Sequence, residues 1–167
     1  MSNKTQIDFA DATWNPVRGC SPVSPGCNNC YAARWAHSFT DPAHPYAGLT
    51  EEADGKPRFN GNVRLAPKML GMPCEMKRSK KILLPTMGDL FHPGVPDRYL
   101  DKIFSVIADC PQHQFMLLTK RPGRMRAYFN AKHRVYTPLA NAWLGVSVEN
   151  QETANERIPL LLETPSA

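Results

Sequence analysis

The sequence lacks the features that would place a protein in a membrane or export it. No run of about 18 or more apolar residues occurs, so the sequence predicts no membrane-spanning helix. The first residues, Met1–Asp8, contain no apolar stretch of the kind that a secretory signal requires. We therefore expect a cytoplasmic protein with no membrane partner.

Internal repeats, low-complexity tracts and a strong charge imbalance are also absent. Proline accounts for 16 of the 167 residues, which disfavours long uninterrupted helices and repeat arrays. The net charge of +5 allows an anionic ligand without requiring nucleic acid. With 42% apolar residues, the chain can form a core, and its length is that of one domain. We expect a single domain over residues 1–167.

What the sequence does contain is an alternation of short apolar segments with helix-type segments. Three apolar segments are nearly continuous, which is typical of strands buried on both faces of a parallel sheet. The predicted strands are Lys81–Leu84, Gln114–Thr119 and Trp143–Val148, with a weaker one around Ile7–Phe9 and Thr13–Trp14. The predicted helices are Asp97–Asp109, a segment from Pro122, and a segment from Asn150 to Leu162. This order predicts the α/β class.

Residues 40–73 do not fit this alternation. The segment is rich in proline, glycine, histidine and aspartate, with turn signals such as Asp54-Gly55 and Asn60-Gly61. We expect an irregular insertion or lid, with one short helix near Lys68–Leu70.

The strongest chemical signal is a cluster of cysteines in a loop over residues 20–30. Three of the five cysteines, Cys20, Cys27 and Cys30, follow the pattern C-x6-C-x2-C. A helix is expected from Tyr31, capped by Asn28 or Asn29, and free amides at its start would lower the pKa of nearby thiols. Three thiolates fit a four-iron cluster in which one iron stays open to another ligand.

A structural zinc site is the competing interpretation of the same cysteines. Zinc in such sites takes four ligands, and His37, His44 or Cys74 could supply the fourth. The protein would then be a non-catalytic zinc-binding module that contacts nucleic acid or a partner protein. Cys110 is expected to be a small buried residue.

Polar residues follow each of the last three predicted strands. In parallel α/β folds, ligands bind on the loops at the carboxyl ends of strands. The residues concerned are Thr86, Asp89, His92, Lys120, Arg121, Ser147 and Glu149. Lys120 and Arg121 could hold a carboxylate or a phosphate, and Ser147 or Glu149 could bind ribose hydroxyls.

We predict Asp89 and Lys120 as catalytic residues. Asp89 and His92 could serve as acid–base groups or as substrate contacts. The alternatives are structural: Asp89 and Glu149 could cap helices, and Lys120 and Arg121 could be solvated surface charges. Trp14 and Trp35 flank the cysteines, and we expect them to shield a bound centre from solvent.

Six motifs carry a resemblance to a known family. They are Thr13–Cys20, Ser24–Cys27, Cys30–Ala32, Met87–His92, Leu118–Pro122 and Trp143–Asn150. With them, the sequence resembles a phage- and prophage-associated family of unassigned function that carries a three-cysteine motif. That family in turn resembles divergent radical S-adenosylmethionine (SAM) enzymes, with spore photoproduct lyase as a distant relative.

The resemblance implies a partial or complete (β/α) barrel with a [4Fe–4S] cluster above the carboxyl ends of its strands. Cys20, Cys27 and Cys30 would ligate the cluster, and its open iron would bind SAM. The residues expected to contact SAM are Tyr31, Lys120, Arg121, Ser147 and Glu149. A nucleic acid or a nucleotide is the expected substrate.

Two departures from the radical-SAM pattern are visible in the cysteine loop. These enzymes usually space their cysteines as C-x3-C-x2-C, whereas the first gap here is six residues. An aromatic residue commonly precedes the last cysteine, whereas Asn29 does so here and Tyr31 follows it.

The resemblance also concerns the end of the chain. Members of that family continue past the position of Ala167 with further strands, so we expect a barrel truncated at its C-terminus. Apolar residues at Leu160–Leu162 would then be exposed and covered by an oligomer or a partner. An inactive truncated fragment is a third interpretation of the function.

Overall fold

A computed structural model of the chain describes residues 5–132 and 139–165. Its strands are β1 (Ala12–Thr13), β2 (Val17–Arg18), β3 (Thr50–Ala53), β4 (Lys56–Phe59), β5 (Arg64–Leu65), β6 (Lys81–Leu84), β7 (Gln114–Thr119) and β8 (Ala142–Val146). Its α-helices are α1 (Tyr31–His37), α2 (Asp97–Asp109), α3 (Pro122–Lys132) and α4 (Gln151–Leu162). Short 3-10 turns cover Pro25–Cys27, Pro67–Met69 and Pro73–Glu75.

A four-stranded parallel sheet in the order β1-β6-β7-β8 forms the centre of the fold. Its register pairs Ala12 with Ile82, Ile82 with Phe115, and Phe115 with Ala142. The predicted bounds of β6, β7 and α2 are confirmed, and β8 begins one residue earlier and ends two residues earlier than predicted. The expected strand at Ile7–Phe9 is wrong, because that segment is a turn and only Ala12–Thr13 pairs with the sheet.

Helices α2, α3 and α4 all pack against the same face of this sheet. Alternate strand residues such as Ile82, Phe115 and Leu144 share one apolar core with side chains of α2, α3 and α4. The amphipathic spacing of α2 places Leu100, Ile103, Phe104 and Ile107 in that core.

The opposite face of the sheet is partly open to solvent. Leu118 of β7 and Trp143 of β8 lie on this face, and Trp143 is 55% exposed. No closed barrel is present among the described residues, since β1 and β8 form the two edges of the sheet. The mixed α/β class with a parallel sheet is therefore confirmed, and the barrel itself is not shown.

The segment over residues 40–73 is more regular than its sequence predicts. Strands β3 and β4 form an antiparallel hairpin whose turn residues, Asp54 and Gly55, have φ of 53° and 68°, as a two-residue hairpin turn requires. Strand β5 pairs with β2, and the expected helix near Lys68–Leu70 is a 3-10 turn at Pro67–Met69. Arg64 fixes the preceding loop by donating to the carbonyl oxygens of Pro45 and Ala47.

Two cysteines outside the loop form a disulfide that the sequence did not indicate. Cys74 and Cys110 are bridged across 36 residues, and Cys110 is fully buried at the end of α2. The burial predicted for Cys110 is confirmed. The use of Cys74 as a fourth zinc ligand is wrong for this structure, because its sulfur is bonded to Cys110.

Helix α4 closes the described part of the chain. The Asn150 side chain accepts a hydrogen bond from the Thr153 amide and so caps the N-terminus of this helix. Leu161 packs against the core, whereas Leu162 is 80% exposed. The exposure predicted for Leu160–Leu162 is therefore confirmed for Leu162 and wrong for Leu161. Among the described residues, no helix has the length and apolar character needed to cross a membrane.

Candidate functional site

A cavity of about 520 Å³ opens at the carboxyl ends of the parallel strands. This volume lies within the usual range of small-molecule sites. Its walls include most of the predicted site residues, namely Cys20, Cys27, Cys30, Tyr31, Thr86, Asp89, Lys120, Arg121 and Ser147. Two others, His92 and Glu149, are not among the residues that line it. Because the carboxyl ends of the parallel strands meet at one edge of the sheet, residues as far apart in the chain as Cys20 and Ser147, 127 positions, lie in one site.

The cysteine loop runs along one side of this cavity. Cys20 follows β2, Cys27 ends the Pro25–Cys27 turn, and Cys30 immediately precedes α1. All three are partly buried and none forms a disulfide. Cys30 itself occupies the N-cap position of α1, so the predicted cap at Asn28 or Asn29 is wrong.

The three thiols line one cavity without converging on a single point. Among residues 5–132 and 139–165, no group of three or more histidine, cysteine or acidic side chains is arranged to hold one metal ion. The ring of His37, a candidate fourth zinc ligand, is hydrogen-bonded to Thr50 Oγ1 instead.

Asp89 lines the cavity and is 5% exposed. Its Oδ1 accepts hydrogen bonds from the Phe91 amide and from Thr119 Oγ1. Its Oδ2 accepts from Arg121 Nη1 at 3.1 Å and from the Lys120 amide at 3.3 Å. With both carboxylate oxygens engaged by the protein, Asp89 is placed to position the loop after β7, and it caps no helix.

Arg121 connects that loop to the cysteines. Besides Asp89, its guanidinium donates to Cys20 Sγ at 3.4 Å and to the carbonyl oxygen of Ser21 at 2.9 Å. The pKa of the Cys20 thiol is raised, mainly by burial and further by the charge of Asp89, while Arg121 opposes the increase. Arg121 is therefore committed to holding Cys20 and Ser21, which leaves few of its donors for a ligand.

A serine and a histidine extend this network. Arg121 Nη2 also donates to Ser21 Oγ at 2.8 Å, and His92 Nε2 lies 2.9 Å from the same oxygen. The Gly94 amide donates to His92 Nδ1, so in the neutral ring Nε2 carries the proton and donates to Ser21. Burial and the nearby Arg121 charge lower the pKa of His92, which favours this neutral form. Sequence reasoning did not identify Ser21 as a site residue, and the one signal for it was its position directly after Cys20.

Lys120 differs from its neighbour Arg121 because its ammonium group is unpaired. The residue lines the cavity, and no hydrogen bond or ion pair joins its Nζ to another described residue. An unpaired cation beside the thiols can hold an anionic ligand group. Ser147 lines the same cavity, and its amide is fixed by the carbonyl oxygen of Thr119.

Tyr31, which lines the cavity, and Asn15 both hydrogen-bond to the loop that follows β6. The Tyr31 hydroxyl donates to the carbonyl oxygen of Thr86 at 3.1 Å, and burial raises the pKa of this phenol. Asn15 Oδ1 accepts from the amides of Thr86 and Met87, which secures the loop that follows β6. Asn15 lies in the motif Thr13–Cys20, but no role for it was predicted.

Glu149 reaches the cysteine loop from the other side. Its carboxylate accepts from the Gly26 amide at 3.3 Å and from Arg157 Nη1 at 3.0 Å. The neighbouring Ser24 hydroxyl, the Gly26 amide and the Arg157 charge lower the pKa of Glu149. A methyl group on Gly26 would lie 2.8 Å from the Glu149 side chain, so the loop and the carboxylate fit closely. This geometry assigns Glu149 to anchoring the loop, and Glu149 is not among the residues that line the cavity.

Neither of the two tryptophans that were expected to shield a bound centre lines the cavity. Trp14 is fully buried in the main core, where its Nε1 donates to the carbonyl oxygen of Met69. Trp35 is 49% exposed and is not among the residues that line the cavity. The expectation of a tryptophan shield is therefore wrong, because sequence proximity to the cysteines did not translate into contact with the cavity.

Comparison with known proteins adds one match. Residues 4–167 match a family described as a protein of unknown function, DUF5131. Neither the curated proteins nor the solved structures gave a match.

Proposed function

The chain belongs to the DUF5131 family, whose function is unknown, and we propose that it is an iron–sulfur protein of the radical-SAM type. The observation that carries this proposal is the cavity at the carboxyl ends of the parallel strands, where three unbridged cysteines face an unpaired lysine. Cys20, Cys27 and Cys30 would hold a [4Fe–4S] cluster. When bound and reduced, such a cluster supplies one electron for cleavage of the sulfonium of SAM.

The other residues of the cavity would bind SAM or position the cysteines. Lys120 binds the carboxylate of SAM, because it is the cavity cation that no described residue neutralises. Ser147 supplies a hydroxyl for the ribose, and Tyr31 closes the rim beside Cys30. Asp89 and Arg121 position Cys20 without contacting the substrate.

The fold supports the same proposal. A parallel sheet with helices on one face is the arrangement of a (β/α) barrel, whereas a doubly wound fold has helices on both faces. We propose that the β1-β6-β7-β8 sheet is part of such a barrel. The nucleotide or nucleic acid implied by the family resemblance is the proposed substrate class.

Metal content is the direct test. The chain is reconstituted anaerobically with iron and sulfide, and we expect about four irons per chain with visible absorption, followed by cleavage of SAM to 5′-deoxyadenosine. Cys27→Ser should abolish retention of the cluster. The matched control, Cys74→Ser combined with Cys110→Ala, should retain it, because those sulfurs are bonded to each other. Stoichiometric zinc without a chromophore, or a folded chain that holds no iron, would contradict the proposal.

The assignment of Lys120 has its own test. Lys120→Gln should weaken SAM binding to the cluster-loaded chain by about tenfold or more, because one charge-assisted hydrogen bond is lost. Isothermal titration calorimetry measures this effect. Lys102→Gln, which changes an exposed lysine on α2, should leave the affinity unchanged. Equal affinities for the two variants would rule out the assigned role.

A further inference from the structure

Helix α1 carries an exposed stripe of aromatic and cationic side chains that begins at the cavity. Tyr31, Arg34 and Trp35 are all exposed, and the spacings of three and four residues place them on one side of the helix. Tyr31 lines the cavity, whereas Trp35 lies one turn farther along α1. The stripe therefore leads outward from the site that holds the cysteines.

Both rings of this stripe are held in place by the protein. The Tyr31 hydroxyl is bonded to the carbonyl oxygen of Thr86. The Trp35 ring makes edge-on contacts with Phe39 at 4.6 Å and with Tyr46 at 5.3 Å between centroids, which leaves 49% of the residue accessible. A fixed, half-exposed ring loses little conformational freedom when another flat ring stacks on it.

One cation lies within the stripe, and another lines the cavity where the stripe begins. Arg34 makes no hydrogen bond or ion pair with its side chain among the described residues, and Lys120 is unpaired in the cavity. A third aromatic side chain, Phe9, lines the cavity and is 56% exposed. Exposed flat rings together with unpaired cations suit a ligand that is built of flat bases and anionic phosphates.

We propose that the outer side of α1 binds single-stranded nucleic acid, with a base stacked on Trp35 and a phosphate on Arg34. Tyr31 and the cavity then receive the neighbouring nucleotide. The proposal rests on the proposed function for the reaction that follows, but the binding surface itself requires no cluster.

Fluorescence anisotropy with a short, labelled, single-stranded oligothymidylate tests this proposal, using the full chain with and without reconstituted iron. We expect binding that weakens as salt rises. Trp35→Ala should weaken it about fivefold or more, the usual effect of removing one stacking ring. Arg34→Gln should weaken it and reduce the salt dependence.

The chain offers a matched control for each change. Trp143 is 55% exposed but lies on the sheet, so Trp143→Ala should alter the affinity less than twofold. Arg98→Gln removes an exposed arginine from α2 and should have equally little effect.

Three results would overturn the proposal. They are the absence of binding by the unmodified chain, equal effects of Trp35→Ala and Trp143→Ala, and full competition by an equimolar mononucleotide. Visible absorption of the same samples reports the cluster separately. A chain that holds iron but does not bind the oligonucleotide would therefore contradict only this inference, and one that binds without holding iron would contradict only the proposed function.

Discussion

Two neighbouring residues, Lys120 and Arg121, show how local geometry assigns different tasks to the same charge. Both follow β7, and both were predicted to hold an anionic ligand. Arg121 is instead enclosed by Asp89, Cys20 and Ser21, whereas the Lys120 ammonium stays unpaired in the cavity. The buried carboxylate of Asp89 makes this distinction, because a buried charge must be paired. Only one of the two cations is left to bind a ligand.

The Asp89–Arg121 ion pair leads to a stability prediction. Both side chains are largely buried, with exposures of 6% and 10%. Asp89→Asn removes one charge and leaves the guanidinium buried without its partner, so the free energy of unfolding should fall by about 3 kcal/mol. Urea denaturation measures the change.

A surface pair provides the control for that prediction. Asp97 pairs with Arg124 at 2.9 Å but is 59% exposed, and solvent screens such pairs. Asp97→Asn should therefore cost less than about 1 kcal/mol. Similar losses for the two variants would mean that the Asp89–Arg121 pair has no special structural role.

At the scale of whole elements, the sequence predicts helices and strands well, but it predicts poorly the contacts that join segments distant in the chain. The apolar spacing along Asp97–Asp109 gives α2 with its observed bounds, because periodicity is a local property. The attachment of Glu149 to Gly26 joins residues 123 positions apart, and no local pattern encodes it. The same limit explains why Glu149 was expected to be a ribose ligand, when it anchors the cysteine loop.

The Glu149 anchor should make the stability of the protein depend on pH. Its pKa is lowered in the folded state, so its ionised form stabilises the fold above the ordinary carboxyl pKa. That contribution is lost as the pH falls through the folded-state pKa. Glu149→Gln should reduce the free energy of unfolding at pH 7, and the difference from the unmodified chain should shrink in acid.

Helix α4 supplies the control for this pH effect. Glu156 is an exposed residue of α4, and Glu156→Gln should leave the pH profile of unfolding unchanged. The comparison is made by urea titrations at a series of pH values. If the deficit of Glu149→Gln were as large in acid as at pH 7, its carboxylate charge would not be the stabilising feature.

At the scale of the molecule, the α/β class and the position of the site could be predicted, but the completeness of the sheet and the disulfide could not. Alternating strand and helix patterns determine the class, and the parallel arrangement places the strand ends at one edge. Whether a sheet closes depends on strand number and tilt, which the pattern of a single strand does not contain. Pairing of Cys74 with Cys110 depends on the packing of the 3-10 turn at Pro73–Glu75 against α2, which is equally non-local.

The Cys74–Cys110 disulfide yields a prediction for the whole chain. Closing a loop across 36 residues restricts the unfolded chain and should contribute about 4 kcal/mol to the free energy of unfolding. A reductant should therefore lower the stability of the unmodified chain by about that amount. The variant that combines Cys74→Ser with Cys110→Ala should start at the lower stability and show no response to reductant, since the remaining cysteines are unbridged.

Thiol titration of the metal-free chain, denatured without reductant, gives an independent measure, because the bridge leaves Cys20, Cys27 and Cys30 as the free thiols. Five titratable thiols in freshly purified protein, or a stability that reductant does not change, would show that the bridge is absent in solution. In that case the main core must hold α2 against the 3-10 turn without covalent support.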